Sequence, residues 1–239
     1  TYLGAIQAWD VYDIEYVTVP TDDDGMLTDG LEKALETHEA KFIYAMPNFQ
    51  NPMGISTPGT RRKELVRLAD HYNMPIVEDD PYGQLRYEGE HLPSVVQLDS
   101  QMRGPNGGTY SGNVIYMSTF SKLLAPGLRL AWVIAPPEVI RKLVMTKQGA
   151  DLHTATFNQL VAYEVGKGGF IDEHVKTIRS VYKERRDVML DTMAEVFPSE
   201  ARWTHPKGGM FLWGILPEGM DAADLPVIRF FCQKYFRGQ

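Results

Sequence analysis

The 239-residue sequence holds a single cysteine, Cys232, so no disulfide can form within the chain. No apolar run approaches the roughly 20 residues that a membrane-spanning helix requires, and the first residues lack the basic-then-apolar layout of a signal peptide. No block of basic residues interrupts a formal net charge of -7, which argues against nucleic acid or an anionic membrane as partner. His38, His71, His91, His153, His174 and His205 stand apart from one another, so no metal site is expected. The 15 prolines and 21 glycines are scattered, and neither a repeat nor a low-complexity segment marks a linker. The single cysteine leaves the redox compartment open, with the reducing cytosol as the default expectation for a soluble chain. The chain opens on Thr1 and is expected to be a piece of a longer protein.

What is present is an ordinary globular composition, 44% hydrophobic and 23% charged, in an alternating pattern. Phe42–Met46 reads as a strand, and Thr57-Pro58 then reads as a helix N-cap with proline at the first helical position. Leu65, Leu68, Ala69 and Tyr72 share one helical face. Met74–Val77, Val114–Met117 and Leu128–Ala135 read as further strands. Strands apolar throughout and separated by helices predict an α/β fold, with a parallel or mixed sheet covered on both faces. Ile171, Val175, Ile178, Tyr182, Met189, Thr192 and Val196 predict one long amphipathic helix, and Gly208–Trp213 a turn followed by a strand. The expected division is a large domain over residues 1–170, then a linking helix and part of a smaller α+β domain over 171–239.

In open α/β sheets, ligands bind beyond the carboxyl ends of the strands, and the distinctive side chains lie there. One strand leads to Asn51, and the next ends at Asp79 with Tyr82 three residues on. A third leads into Thr119-Phe120-Ser121-Lys122, and Arg129 opens the fourth. Hydroxyls and a guanidinium suit a phosphate. A lysine forms imines with carbonyl compounds, and a carboxylate in a buried setting suits a protonated pyridine. Phosphate, aldehyde and pyridine on one molecule describe pyridoxal 5′-phosphate (PLP). Taken singly, each residue has a plainer reading: a solvated lysine, an Asp-Asp-Pro turn, hydroxyls bonded to backbone.

Together, Asn51-Pro-x-Gly54, Asp79-x-x-Tyr82 and Ser118-Thr-Phe-Ser-Lys122 with Ala-Pro-Gly-Leu-Arg129 resemble the signature of fold-type I, class I/II PLP-dependent aminotransferases. Thr1-Tyr2-Leu-Gly-Ala-Ile, Glu78-Asp-Asp-Pro-Tyr-Gly83 and Gly208-Gly-Met-Phe-Leu-Trp213 are similar to the branch containing 2-aminoadipate and kynurenine aminotransferases. The resemblance covers nearly the whole sequence. It implies that Lys122 holds PLP as a Schiff base and moves the proton, and that Asp79 faces the pyridine nitrogen. Asn51 and Tyr82 would bond the ring hydroxyl, Thr119, Ser121 and Arg129 would hold the phosphate, and Tyr2 would stack on the ring. It further implies a homodimer that transfers an amino group from an amino acid to a 2-oxo acid, 2-oxoglutarate above all, with ping-pong kinetics.

The family's glycine-rich phosphate loop and its arginine for the substrate carboxylate have no counterpart in this sequence, and the residues after Leu225 do not match the family's usual continuation. Two other readings follow from the same residues. One is the effector-sensing domain of a DNA-binding regulator, which typically has Glu-Asp-Asp-Tyr-Asp where this chain has Glu78-Asp79-Asp80-Pro81-Tyr82. The other is a PLP-binding fragment without turnover.

Overall fold

Short apolar runs alternating with polar, helix-forming segments give the element order of the chain. The computed structural model describes residues 2–104 and 108–222; the residues from 223 on, Cys232 among them, lie outside the described residues. In sequence these are α1 (Leu3–Asp10), β1 (Thr21–Asp22), β2 (Gly25–Met26), α2 (Thr28–Thr37), β3 (Ile43–Ala45), α3 (Gly59–His71), β4 (Ile76–Asp79) and α4 (Val95–Arg103). They continue with β5 (Val114–Thr119), β6 (Ala131–Ile134), α5 (Pro137–Asp151), α6 (Thr156–Gly166), α7 (Phe170–Val196), β7 (Arg202–Trp203) and β8 (Gly214–Ile215).

The central sheet has the order β3-β4-β5-β6, with the first three strands parallel and β6 antiparallel. Its register sets Ile43, Ile76 and Val114 side by side. All three are buried against Leu65, Leu68 and Ala69 of α3 and Val95 and Leu98 of α4. The α3 stripe read from sequence is therefore the core face, with Tyr72 packed at its margin. Each fully buried Leu or Ile of this kind contributes roughly 1.5–3 kcal/mol.

Four local expectations are corrected. Thr57 does not cap α3: Pro58 is the N-cap, in extended conformation (ψ 156°), and the helix begins at Gly59. The Thr57 carbonyl instead accepts from Arg62 Nε at 2.7 Å. The strand expected from Leu128 begins at Ala131. Pro126-Gly127-Leu128 forms a 3-10 turn and Arg129 sits in the left-handed region at φ 55°, because proline and glycine favour a turn over extended chain. The strand expected within Gly208–Trp213 starts only at Gly214 and pairs with β7.

The glycines before it serve packing. A Cβ on Gly208 would run into the ring of Phe49 and the carbonyl oxygen of Leu85. Phe49 itself is buried, with the Arg86 guanidinium over its ring at 4.8 Å.

The fourth correction concerns α7. It is one continuous helix as expected, but Met189 and Val196 are exposed, while Met193 is buried. Steps of seven residues fall about 20° short of two full turns, so the covered stripe moves to Arg186, Leu190, Met193 and Phe197. The sheet is also less evenly covered than expected. Val133 and Ile134 of β6 are exposed, α5 buries no residue and α6 buries only Ala162. Among the described residues, no helix is long and apolar enough to cross a membrane.

Candidate functional site

The pleat separates three consecutive carboxylates at the end of β4. Successive strand residues point to opposite faces, so Glu78 shares a face with buried Ile76 while Asp79 points the other way. Tyr44 lies opposite Val77 and therefore on the Asp79 face. Its phenol donates to Asp79 Oδ2 at 2.6 Å. Burial raises the Asp79 pKa, and the Tyr44 hydrogen bond partly opposes the rise. Burial, with the charge of Asp79 beside it, drives the Tyr44 phenol far above its ordinary range.

Tyr82 follows in the loop after β4, buried, its ring edge-on to Phe211 at 5.4 Å between centroids. Burial pushes its phenol up to about 12, against a lowering hydrogen bond from the Asn51 side chain. Tyr2 lies close enough to raise the pKa of both Tyr44 and Tyr82. Its own ring folds back over Gly4, where a Cβ would come within 2.5 Å of it. Tyr2, Tyr44, Asn51, Asp79 and Tyr82 are thus one cluster.

A second, largely buried network braces this cluster from behind. Arg62 of α3 donates to the carbonyls of Thr57, Pro93 and Pro47 and to Asn48 Oδ1, at 2.7–2.9 Å. Asn48 Nδ2 in turn donates to Asp80 Oδ1 at 3.0 Å, and the Gly83 backbone N–H donates to the same oxygen at 2.9 Å. Tyr116 of β5 donates to Asp80 Oδ2 at 3.2 Å. The chain segments carrying Asn51 and Tyr82 are therefore tied together through Asn48 and Asp80. Desolvation lowers the Arg62 pKa to about 10, with Glu78 and Asp80 as opposing charges. Glu78 accepts from the Val95 and Val96 N–H groups at the start of α4, at 2.8 and 2.9 Å. Burial nevertheless takes its carboxyl up to about 7.

β5 lies beside β4 and runs parallel to it, so the two carboxyl ends share one rim. At the last residue of β5, Thr119 Oγ1 accepts from the Ser121 backbone N–H at 3.0 Å and lies 2.9 Å from both the Leu130 carbonyl and Ser121 Oγ. A single hydroxyl hydrogen cannot serve both, so Thr119 is largely engaged in closing this loop and Ser121 is the freer donor. Lys122 is half-buried and has no ion-pair or hydrogen-bond partner among the described residues. Arg129 is exposed and donates to the Pro126 carbonyl at 3.1 Å.

All eight residues singled out from sequence thus belong to one edge of the sheet. Five elements of the site were not singled out: Tyr44, Asn48, Arg62, Glu78 and Asp80. Tyr44 is the most legible of them, since the i, i+2 alternation of a strand links it to the rim. Arg62 sits on a charged-looking helix turn, Arg61-Arg62-Lys63-Glu64, and nothing in that pattern marks which arginine turns inward. Chemically, the rim offers a half-buried carboxylate and a lysine, neither with an oppositely charged partner among the described residues, together with a phenol bonded by an amide and an exposed arginine. An aromatic cation that also carries a carbonyl and an anionic group fits that donor set, as PLP does.

Residues 1–225 match the family described as aminotransferase class I and II. The chain is 46% identical over 226 residues to aromatic-amino-acid aminotransferase 1 of Thermococcus litoralis, covering 92% of this chain and 52% of that protein. It is similar to the crystal structure of LysN, the α-aminoadipate aminotransferase of Thermus thermophilus, complexed with N-(5′-phosphopyridoxyl)-L-leucine. That likeness has a TM-score of 0.87 and 41% identity, and covers 93% of this chain and 55% of that one. A more distant match, 30% identical, is an uncharacterised HTH-type transcriptional regulator of Bacillus subtilis, covering 97% of this chain and 45% of the regulator. The chain spans about half the length of the relatives it matches.

Proposed function

The chain belongs to the aminotransferase class I and II family, and on that basis we propose that it is the central part of a PLP-dependent aminotransferase. Its sheet and flanking helices are those of the type I fold of PLP-dependent transferases. The observation that carries the proposal is the rim itself: half-buried Asp79 on one strand end and half-buried Lys122 past the next, neither with an oppositely charged partner among the described residues. We place the larger, cofactor-binding unit at residues 1–170 and the start of a smaller one in α7.

When bound, PLP supplies an aldehyde that takes up the amino nitrogen and a protonated ring that accepts the electron pair left at the substrate Cα. The protein's groups do the rest. Asp79 would face the ring nitrogen and favour a proton there, since a carboxylate partly withdrawn from water gains from a cation in contact. Asn51 and Tyr82 hydrogen-bond the ring hydroxyl. Ser121 and Arg129 hold the phosphate with Thr119 setting the loop, and Tyr2 covers a ring face. Lys122 would be the residue that binds the cofactor's aldehyde and the base and acid placed to move a proton at the substrate Cα.

The reaction is amino transfer from an amino acid of the aromatic or 2-aminoadipate kind to a 2-oxo acid such as 2-oxoglutarate. It runs in two half-reactions, in a cytoplasmic homodimer. Borohydride reduction of PLP-treated protein tests the cofactor site: a pyridoxyl group on Lys122 is expected, and a colourless protein that ignores PLP would sink the proposal. Mixing the yellow protein with 2-aminoadipate, leucine, kynurenine or glutamate tests turnover. Spectral conversion with one of them is expected; binding without conversion favours an effector-sensing or inert domain.

A further inference from the structure

The proposed site leaves one of its closest contacts unused. Asp79 has two carboxylate oxygens, and Tyr44 bonds one of them, Oδ2, at 2.6 Å. Among the described residues no side chain bonds the other. Tyr44 is itself held in place. The Trp9 ring of α1 meets it edge-on at 5.0 Å and 85°, and the same indole packs against Phe42 at 5.3 Å. Phe42, just before β3, and Tyr44 within it flank Ile43, so one indole packs against two alternate residues of this segment. The phenol is thus a pre-aimed donor on a rigid element, set where Asp80 next door would otherwise repel the Asp79 charge.

We propose that Tyr44 is a positioning residue of this site: it pins Asp79 through Oδ2 and keeps the carboxylate charged, leaving Oδ1 to face the ring nitrogen of the cofactor. The inference rests on the cofactor reading above. It assigns α1 a task as well, since Trp9 fixes the phenol that fixes the carboxylate. A charge-assisted hydrogen bond of this kind is among the stronger ones in proteins, and losing it weakens the pairing of Asp79 with a cation.

The test uses the full chain with PLP. Tyr44→Phe keeps the ring and its packing on Trp9, so the melting temperature of the unloaded protein stays within a degree or two. PLP affinity is expected to fall about tenfold. The pH midpoint of the visible cofactor band is expected to rise by about one unit, because the ring-nitrogen proton is shared more toward a less stabilised Asp79. A fluorinated tyrosine at position 44, a stronger donor of nearly the same shape, moves the midpoint the other way.

Unchanged affinity and midpoint in both variants would overturn the role of Tyr44 while leaving the cofactor reading intact. Wild-type protein that takes up no PLP overturns both.

Discussion

On the β3–β4 side of the rim, Arg62 is fully buried and places its donors on three carbonyls and an amide oxygen, and Asp80 accepts from a side-chain amide, a backbone N–H and a phenol. On the β5–β6 side, Lys122 has no partner among the described residues, and Arg129, exposed and at φ 55°, reaches only a carbonyl of its own turn. Both sides carry cations, and the difference lies in what satisfies them. A buried guanidinium is costly unless acceptors surround it, and Arg62 finds four within the protein, so the first side is ordered by the protein itself. The second keeps its cations uncommitted, which is what a group meant for a ligand requires. A supporting wall thus stands beside a loop whose charges are held for something else.

The sharpest way to break this contrast is to remove one cation from each side. Lys122→Ala is expected to lower turnover by about 10⁴-fold or more and to abolish the borohydride-fixed pyridoxyl group. It should leave unfolding in urea within about 0.5 kcal/mol of wild type. A large loss of stability would mean that Lys122 belongs to the fold.

Arg62→Met reverses the pattern. It strands the carbonyls of Pro47, Thr57 and Pro93, and the expected cost is about 3–5 kcal/mol in urea unfolding. A cost below about 1 kcal/mol would show that the wall is ordered by something other than this arginine.

Next in size is a pH effect confined to the wall. The folded-state pKa of Glu78 is raised from 4.5 to about 7 by burial. Its contribution to stability is therefore fully present below about pH 4.5 and is lost as pH rises through about 7. At about 1.4 kcal/mol per pH unit, the loss is roughly 3 kcal/mol at most. Glu78→Gln removes the titration, so its stability relative to wild type should improve between pH 4.5 and 7. A flat difference would mean that the Val95 and Val96 N–H groups offset burial in full.

The smallest effect belongs to the loop. Arg129→Gln should weaken PLP binding about tenfold, the loss of one charge-assisted bond, while changing stability by less than about 0.5 kcal/mol. Equilibrium titration of the cofactor band measures the first and urea unfolding the second.

Much of this was legible before any coordinates. The α3 stripe of Leu65, Leu68 and Ala69 could be read because helical periodicity and burial have the same cause. That the eight candidate residues would gather at one rim could be read because strand ends and loop motifs keep their order along the chain. Thr57, Arg129, Met189 and Val196 were misplaced for local reasons: a proline that stays outside its helix, a Pro-Gly turn that delays a strand, and a heptad count that drifts off the covered face. Arg62 escaped notice because its burial depends on Pro47, Thr57 and Pro93 converging on it from separate segments. No sequence window contains that arrangement.

The order of Asn51, Asp79, Tyr82, Lys122 and Arg129, and with it the family and the cofactor chemistry, was determined by the sequence itself, because each motif is short and its chemistry needs those residue types. What only the tertiary structure decided is which charges are shared. It set Tyr44 on Asp79, Asn48 on Asp80 and Arg62 behind them, and it left Lys122 without a partner among the described residues. Hydrogen bonds between residues 32 to 36 positions apart depend on strand register and on which face the pleat presents. Those are settled only when the sheet forms.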